Sequence, residues 1–457
     1  MLAAPVLLAS QNWDDHNRAN RYTALAMAKA YLSSCDKNAI LFTIGDNDTF
    51  PLWYAQEIEG FRTDVRIVNT SLFMTDWYID QMKRKAYDSD PMPISFTHDQ
   101  YKPGTRDYML FDKNTEKRWD LGQFIKFIAS DDERLKLKLN NGHSVNFYPT
   151  NKVRFTVDKN AVLKSNTVSA ALQDSIVPYI DFDIKGEALY KNRLMMLDIV
   201  YNNNWKRPIY FTGGSFGDDD YLWMKDYLQL DGMVYKLVPV KTAIPEDGSP
   251  LDMGRIDTKK MYDIVMGWTW GNSEDPKIYH DPETRKNSIS YRTNMARLMQ
   301  ALIDEGDKVK ARKVIDLAMT KLPVDEFGYY TLLEPFITGY YELGDQASAH
   351  KLLDKLIKKY QESLVFYAGV SATDQSYIRN DIATDIERYR SLLWLAKESG
   401  DDAYYNKEYP KFNKLNQGVG RYKRENEGEG AFDEEDTLAK ALKAAEITPT
   451  ADTTKKK

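Results

Sequence analysis

One phrase recurs three times in the last third of the chain and constrains its fold more than any other feature: an apolar helical stripe, a Gly-Asp dipeptide, then a second stripe. Met295, Leu298, Met299 and Leu302 form one face, Gly306-Asp307 follows, and Ala311, Ile315, Ala318 and Leu322 form the next. The second copy has Gly344-Asp345 followed by Ala349, Leu352, Leu353 and Leu356, and the third has Leu392, Leu395 and Gly400-Asp401, with Tyr405 where the alanine would stand. Spacings of three and four residues are the helical period. The glycine ends one helix where a positive φ is needed, and the small residue five positions on lets the returning helix approach closely. This predicts an all-α region of tetratricopeptide-like helical hairpins over 288–415. The glycines lie 38 and 56 residues apart, unlike the tetratricopeptide period of about 34, so the repeats are degenerate and carry insertions.

Upstream the rhythm changes. Residues 20–33 suit a helix through Tyr22, Leu25, Ala26 and Tyr31, entered through Asp14 and Asp15. Ala39 to Ile44 is an apolar run that stops at Gly45-Asp46-Asn47-Asp48-Thr49, and Phe50 to Glu59 reads as a helix stopped by Gly60. Val65 to Val68 repeats the strand, and a helix starts near Thr75-Asp76. Strand, loop and helix in alternation imply a parallel sheet covered on both faces. Pro91 to Phe96 is read as a strand. The alternation over Val145 to Val157 is read as half-buried antiparallel strands, within a β-rich insertion at about 97–175. A helix at 188–201, a strand at 208–212, a helix at 221–230 and a strand at 234–240 resume the pattern. The expected organisation is an α/β three-layer domain with a mostly parallel sheet over 1–243, a connector over 244–287 with a helix near 259–266, the helical repeats, and a flexible tail over 416–457 with a short helix at 438–445.

Composition narrows the functional classes. With 62 basic and 68 acidic residues and no basic run interleaved with aromatics, nucleic acid is not an expected partner. A single cysteine, Cys35, rules out an intrachain disulfide and every multi-cysteine metal site. Leu2 to Ala9 is strongly apolar but far short of the roughly 20 residues a spanning helix needs. The 30 tyrosines and 9 tryptophans could stack on sugars, although helical repeats and mixed cores also use them heavily.

Three places could carry chemistry. Asp46, Asn47 and Asp48 end a predicted parallel strand and Asp76 follows the next, at the edge where open α/β sheets bind ligands. Convergent carboxylates there could hold a divalent cation or sugar hydroxyls. The competing reading is helix capping by Asp48 or Thr49, with Pro51 in the first turn. Trp13-Asp14-Asp15-His16 brings an acid and an imidazole together, yet neighbouring residues on a helix point apart, and acids in a first turn complement the dipole. Gly213-Gly214-Ser215-Phe216-Gly217 follows a predicted strand and matches the nucleophile elbow, with Asp263 and His280 in the required order. Asp218, Asp219 and Asp220 crowd that turn and would oppose an oxyanion. No metal ligand set and no cofactor motif is otherwise evident.

Four phrases carry a resemblance. Asn12-Trp13-Asp14-Asp15-His16, the stretch from Ile40 through Gly45-Asp46-Asn47-Asp48-Thr49-Phe50-Pro51-Leu52-Trp53-Tyr54, Thr75-Asp76-Trp77-Tyr78-Ile79-Asp80-Gln81, and Asn204-Trp205-Lys206-Arg207-Pro208-Ile209-Tyr210-Phe211 resemble a bacterial family of multi-spanning membrane proteins. That family is grouped with GT-C glycosyltransferases similar to animal protein O-mannosyltransferases. The resemblance covers about Gln11 to Gln361 and implies the soluble, periplasm-facing part of such a protein. Its membrane-embedded half would hold the lipid-linked sugar and the catalytic acid, so no catalytic residue transfers, and Leu2 to Ala9 would be the stub of the last membrane segment or the juncture below it. The expected role is to position protein acceptors or partners, through the strand edge and a peptide-sized groove of the repeats. A free-standing tetratricopeptide-type interaction protein and a serine hydrolase at Ser215 are the alternatives.

Overall fold

The computed structural model describes residues 3–138, 142, 144–213, 215, 217–242 and 252–419, with the backbone alone for Asp14, Asp15 and Ala372. The chain divides into two compact units, Met1–Ala301 with Thr320–Pro323, and Leu302–Met319 with the chain from Val324.

The first unit is built on a six-stranded sheet: β1 (Ile40–Thr43), β2 (Arg66–Asn69), β3 (Ile209–Thr212), β4 (Leu228–Asp231), β5 (Val234–Leu237) and β6 (Arg255–Ile256). Their spatial order is β6-β4-β5-β3-β1-β2. β1 pairs in parallel with both β2 and β3, with Leu41 opposite Ile67 on one side and Tyr210 on the other. Every residue of β1, β2 and β3 is buried, which is why Ile40–Phe42, Ile67–Val68 and Ile209–Phe211 read as apolar runs. The helices Thr23–Ser34 and Phe50–Glu57 pack against each other, and Gly60 follows the second at φ 62°.

The sheet is mixed where a mostly parallel one was expected. β5 runs antiparallel to β3 and to β4. The helix predicted over 221–230 is replaced by two 3-10 turns, Asp219–Tyr221 and Lys225–Tyr227, and then β4. Leu222 and Trp223 lie at φ 54° and 58°, in the left-handed region that ends any helix. Tyr221, Leu222, Met224 and Leu228 are all buried, so the segment has no solvent-facing stripe for a helix to keep. Asp231-Gly232, between apolar runs, was the hairpin signal in the sequence. Gly232 has φ 58°, and a Cβ there would meet Ser34 Oγ at 2.3 Å, so the turn needs glycine for both conformation and space.

A partly buried ionic cluster ties this hairpin to the rest of the unit. Lys260 Nζ lies 2.7 Å from Asp231 and 2.8 Å from Asp36, Lys236 Nζ lies 2.7 Å from Asp36, and the Tyr210 hydroxyl donates to Asp231 at 3.0 Å. Burial alone would raise the Asp36 carboxyl, but the two lysines hold it well below the carboxylate range.

The β-rich insertion expected at about 97–175 extends to Tyr190 and forms two small sheets. Lys136–Lys138, Ser144–Tyr148, Tyr108–Phe111 and Ala188–Tyr190 make one; Trp119–Asp120, Lys152–Thr156 and Tyr179–Asp183 make the other. The alternation in Val145 to Val157 belongs to two half-buried strands, as expected, but they do not pair with each other. Pro91 to Phe96 forms no strand. It is an extended segment whose Ser95 donates from backbone and hydroxyl to the buried Asp198 at 2.7 and 2.6 Å, so side-chain bonds replace a ladder. Burial raises Asp198 to about 6 against these bonds. Ala188–Tyr190 is a strand, and the helix predicted from 188 runs over Lys191–Asn203.

The second unit is helical: Lys308–Lys321, Glu334–Glu342, Gln346–Gly369, Arg379–Glu398 and Asp402–Val419 are its principal helices. Its three Gly-Asp corners share one construction. Gly306, Gly344 and Gly400 have φ 83°, 77° and 82°. The amides of Asp307, Asp345 and Asp401 donate back to the carbonyls of Leu302, Tyr340 and Ala396 at 2.8 to 2.9 Å, closing the outgoing helix with the bonds of a Schellman motif. Each Asp carboxylate then accepts the amide three residues on, at Lys310, Ser348 and Tyr404, and so caps the incoming helix. Ala311 and Ala349 are fully buried. In the third corner the buried residue is Tyr404, and Tyr405 is half exposed. The last helix runs through Asn416 to Val419, where the tail was expected to begin; the short helix expected at 438–445 lies outside the described residues.

Candidate binding edge of the principal sheet

Each of the three adjacent parallel strands β2, β1 and β3 closes its apolar run with a buried polar residue: Thr43 on β1, Asn69 on β2 and Thr212 on β3. The chain passes from β1 to β2 on one side, then returns through β3 on the other side of β1. Strand order therefore reverses between β1 and β3, and the crevice outside the carboxyl ends at such a point is where open α/β sheets bind ligands.

The loop after β1 fills this crevice. The Thr49 hydroxyl lies 2.7 Å from that of Thr43 and donates to the Gly45 carbonyl at 2.6 Å. Asn69 Nδ2 donates to Thr49 Oγ1 at 2.9 Å and to the same Gly45 carbonyl at 3.2 Å, while its Oδ1 accepts the Leu72 amide at 2.9 Å. Asp48 crosses to β3, accepting the Thr212 hydroxyl at 2.9 Å. Burial pushes its carboxyl up to about 6 against the lowering effect of Thr212 and the Ile44 amide. Beneath it lie Tyr31 and Tyr221, whose hydroxyls are driven far above their ordinary range by burial first and by the Asp48 charge in addition.

The capping reading of this loop is corrected. Neither Asp48 nor Thr49 caps the helix Phe50–Glu57, although Pro51 occupies its first turn as expected. Their side chains serve strand-to-strand bonds instead. Asp46 and Asn47 are exposed. Next to them the helix shows solvent a stripe at i, i+4 and i+8 of Phe50, Tyr54 and Ile58, 50%, 47% and 70% exposed, with Trp53 stacked on Phe50 at 5.5 Å. Asp76 does not join the loop: its Oδ1 accepts the Trp77 amide at the start of Asp76–Met82. Trp77 is 54% exposed. Among the described residues no group of three or more His, Cys, Asp or Glu side chains converges on a point that could hold a metal ion.

The loop after β3 carries the elbow-like sequence, of which Gly214 and Phe216 lie outside the described residues. Ser215 Oγ donates to Asp220 and accepts the Gly217 amide at 3.1 Å. Arg193 bonds Asp219 at 3.0 Å and also Asp220, while Lys185 and Lys225 pair with Asp218. The acidic run is thus matched by three cations, which offset the repulsion expected from its charge alone. Asp263 is exposed on Thr258–Met266, and His280 Nε2 lies 3.1 Å from the Ser273 carbonyl. His16 Nδ1 is likewise 2.9 Å from a backbone carbonyl, that of Asn12. The residues missed by sequence reading were Thr43, Asn69 and Thr212. Their signal was present in Ile-Leu-Phe-Thr, Ile-Val-Asn and Ile-Tyr-Phe-Thr: apolar runs that stop on a hydrogen-bonding side chain.

Residues 24–260, just over half of the chain, match the family model of TMEM260-associated domain 2. The chain belongs to that family. No curated protein and no solved structure matches it. The TMEM260-associated domain 2 match takes in the loops after β1 and β3 and ends on Lys260, the lysine that neutralises Asp231 and Asp36. TMEM260 is a membrane protein. Among the described residues of this family member no helix is long and apolar enough to cross a membrane.

Proposed function

We propose that this chain is the non-catalytic, extramembrane part of a membrane protein O-glycosyltransferase of the mannosyltransferase-like kind, on the periplasmic face of the inner membrane, and that its sheet edge positions protein acceptors. The observation that carries the reading is the exposed stripe Phe50, Tyr54 and Ile58 beside Asp46 and Asn47, at the switch point of the sheet. Aromatic faces take apolar side chains or sugar rings, and the adjacent carboxylate and amide give a partly glycosylated polypeptide both acceptors and donors. Membership of a family associated with a membrane protein supports the setting.

The test is a photo-crosslinking p-benzoylphenylalanine in place of Tyr54, in the host cell, with the same probe at the exposed Lys206 as control. Crosslinks from position 54 to polypeptides bearing O-linked sugar, absent from position 206, are expected. Crosslinks only to unglycosylated partners would contradict the reading. A free-standing tetratricopeptide-type interaction protein would instead leave position 54 bare and yield partners from probes on the helical unit.

A further inference from the structure

The longest helix of the second unit, Gln346–Gly369, buries a stripe from Ala349 to Leu364, yet its last turns show solvent Val365 and Phe366, 61% and 66% exposed. The short helix after it, Ala372–Tyr377, closes on Tyr377, 83% exposed. Gln375 Nε2 donates to the carbonyls of Tyr367 and Val370 at 2.7 and 3.0 Å, so the short helix is folded against the end of the long one. Scattered apolar residues on a surface need no account, but three gathered at one end of a unit mark a contact. They present a few hundred Å², less than the roughly 1,000 Å² that holds a separate protein. A segment tethered nearby needs far less, because it meets its site at an effective concentration on the order of millimolar.

The chain itself passes this place. Its last described helix, Asp402–Val419, ends here: Val419 is buried, and a Cβ built on Gly418 would lie 3.9 Å from the Ala368 methyl. Ala368 stands one turn beyond Val365, on the same face of its helix. Farther on, outside the described residues, the sequence sets Leu438, Ala441, Leu442 and Ala445 at i, i+3, i+4 and i+7, with Lys440 and Lys443 on the opposite side. That is one apolar face of a helix of about two turns. Thr437 ahead of it is a cap residue and Pro449 beyond it a stop. The 17 residues from Gly420 to Asp436 reach at most about 60 Å, ample for the stripe to return to the end of the unit from which the chain leaves. We infer that Leu438–Ala445 docks as a helix on this end of the second unit, with Leu438 and Leu442 covering Val365, Phe366 and Tyr377. The inference goes beyond the proposed function and does not depend on it, since no acceptor or sugar enters it.

The experiment is hydrogen exchange on the purified full chain, with Val365→Asp/Phe366→Asp as the variant that spoils the surface and leaves the tail sequence untouched. Because both side chains are exposed, exchange in the rest of the unit stays as in the parent. The amides of residues 438–445 exchange at least tenfold more slowly in the parent than in the variant. A photo-crosslinking p-benzoylphenylalanine in place of Phe366 reads the same contact directly. Within the monomer it joins the peptide holding Leu438 and Leu442, in a yield that tenfold dilution does not change and that Leu438→Asp/Leu442→Asp lowers at least tenfold. Equal exchange of 438–445 in parent and variant overturns the inference. So do crosslinks that join two chains, which would seat a second copy at this end, and crosslinks confined to segments other than the tail.

Discussion

Asp48 makes a prediction whose sign is unusual for a carboxylate. Its folded pKa is raised from 3.8 to about 6 by burial, so the folded state holds the proton more tightly than the unfolded one. The Asp48 contribution is fully present below about pH 4 and is lost as pH rises through about 6. Asp48→Asn should therefore stabilise the first unit by about 1–2 kcal/mol at pH 8 and by little at pH 4, read as the difference between denaturant midpoints at the two pH values. A destabilised variant at pH 8 would show that the ionised carboxylate earns its place. Ser215 makes a second prediction. Its hydroxyl is engaged by Asp220, and no imidazole shares a hydrogen bond with it among the described residues, so the native chain should not label with a serine-directed fluorophosphonate. Labelling abolished by Ser215→Ala would revive a hydrolase. Asp48 was legible as a site residue because it stands in a polar run after an apolar strand. Its bond to Thr212 was not, because 164 residues separate the two and only the return of β3 beside β1 brings them together.

The Gly-Asp corners are where an element-level reading of the sequence and the structure agree most closely, because every bond involved is local. They also differ in a testable way. Asp307 and Asp345 cap a helix and pair with surface cations, whereas Asp401 is buried and accepts in addition from His350 and from Tyr341 at 3.0 Å. Asp307→Ala and Asp345→Ala should each cost about 1 kcal/mol, and Asp401→Ala about 2–3 kcal/mol because it leaves the buried Tyr404 amide and the half-buried His350 and Tyr341 donors without their acceptor. Equal losses at all three would contradict the account. Burial would raise the Asp401 carboxyl, but His350 and its other donors hold it down to about 2. Its contribution is thus present above pH 4 and is lost as pH falls toward 2. On the sheet side, Lys260→Met leaves the fully buried Asp231 without its ammonium partner and the part-exposed Asp36 with Lys236 alone, and should cost about 3–5 kcal/mol in thermal unfolding of the first unit. None of this cluster was legible, since its members come from five separated elements. The hairpin of β4 and β5 was missed for a different reason: a segment buried on all sides carries no period, and only Asp231-Gly232 announced the turn.

For the whole molecule, the sequence conveyed the division into α/β and helical parts because period is a local property, and strand against helix is decided within a dozen residues. It conveyed less about the sheet, whose mixed pairing depends on which distant strand lies beside β3. It pointed to a membrane setting through phrases within Asn12 to Phe211, and membership of TMEM260-associated domain 2 agrees with that setting. The central claim is that the edge carrying Asp46, Asn47, Phe50 and Tyr54 presents polypeptides to a glycosyltransferase. These four side chains are wholly or half exposed, so their removal should leave the fold intact and change only what the edge holds. The most direct measurement is quantitative O-glycoproteomics of host cells in which the gene carries Asp46→Ala, Phe50→Ala and Tyr54→Ala together, with the protein's abundance confirmed by immunoblot. The account predicts unchanged abundance and a fall of about tenfold or more in O-glycan occupancy on acceptor proteins, the loss expected when about 1.4 kcal/mol or more of binding is removed. An O-glycoproteome identical to that of the parent strain would contradict it.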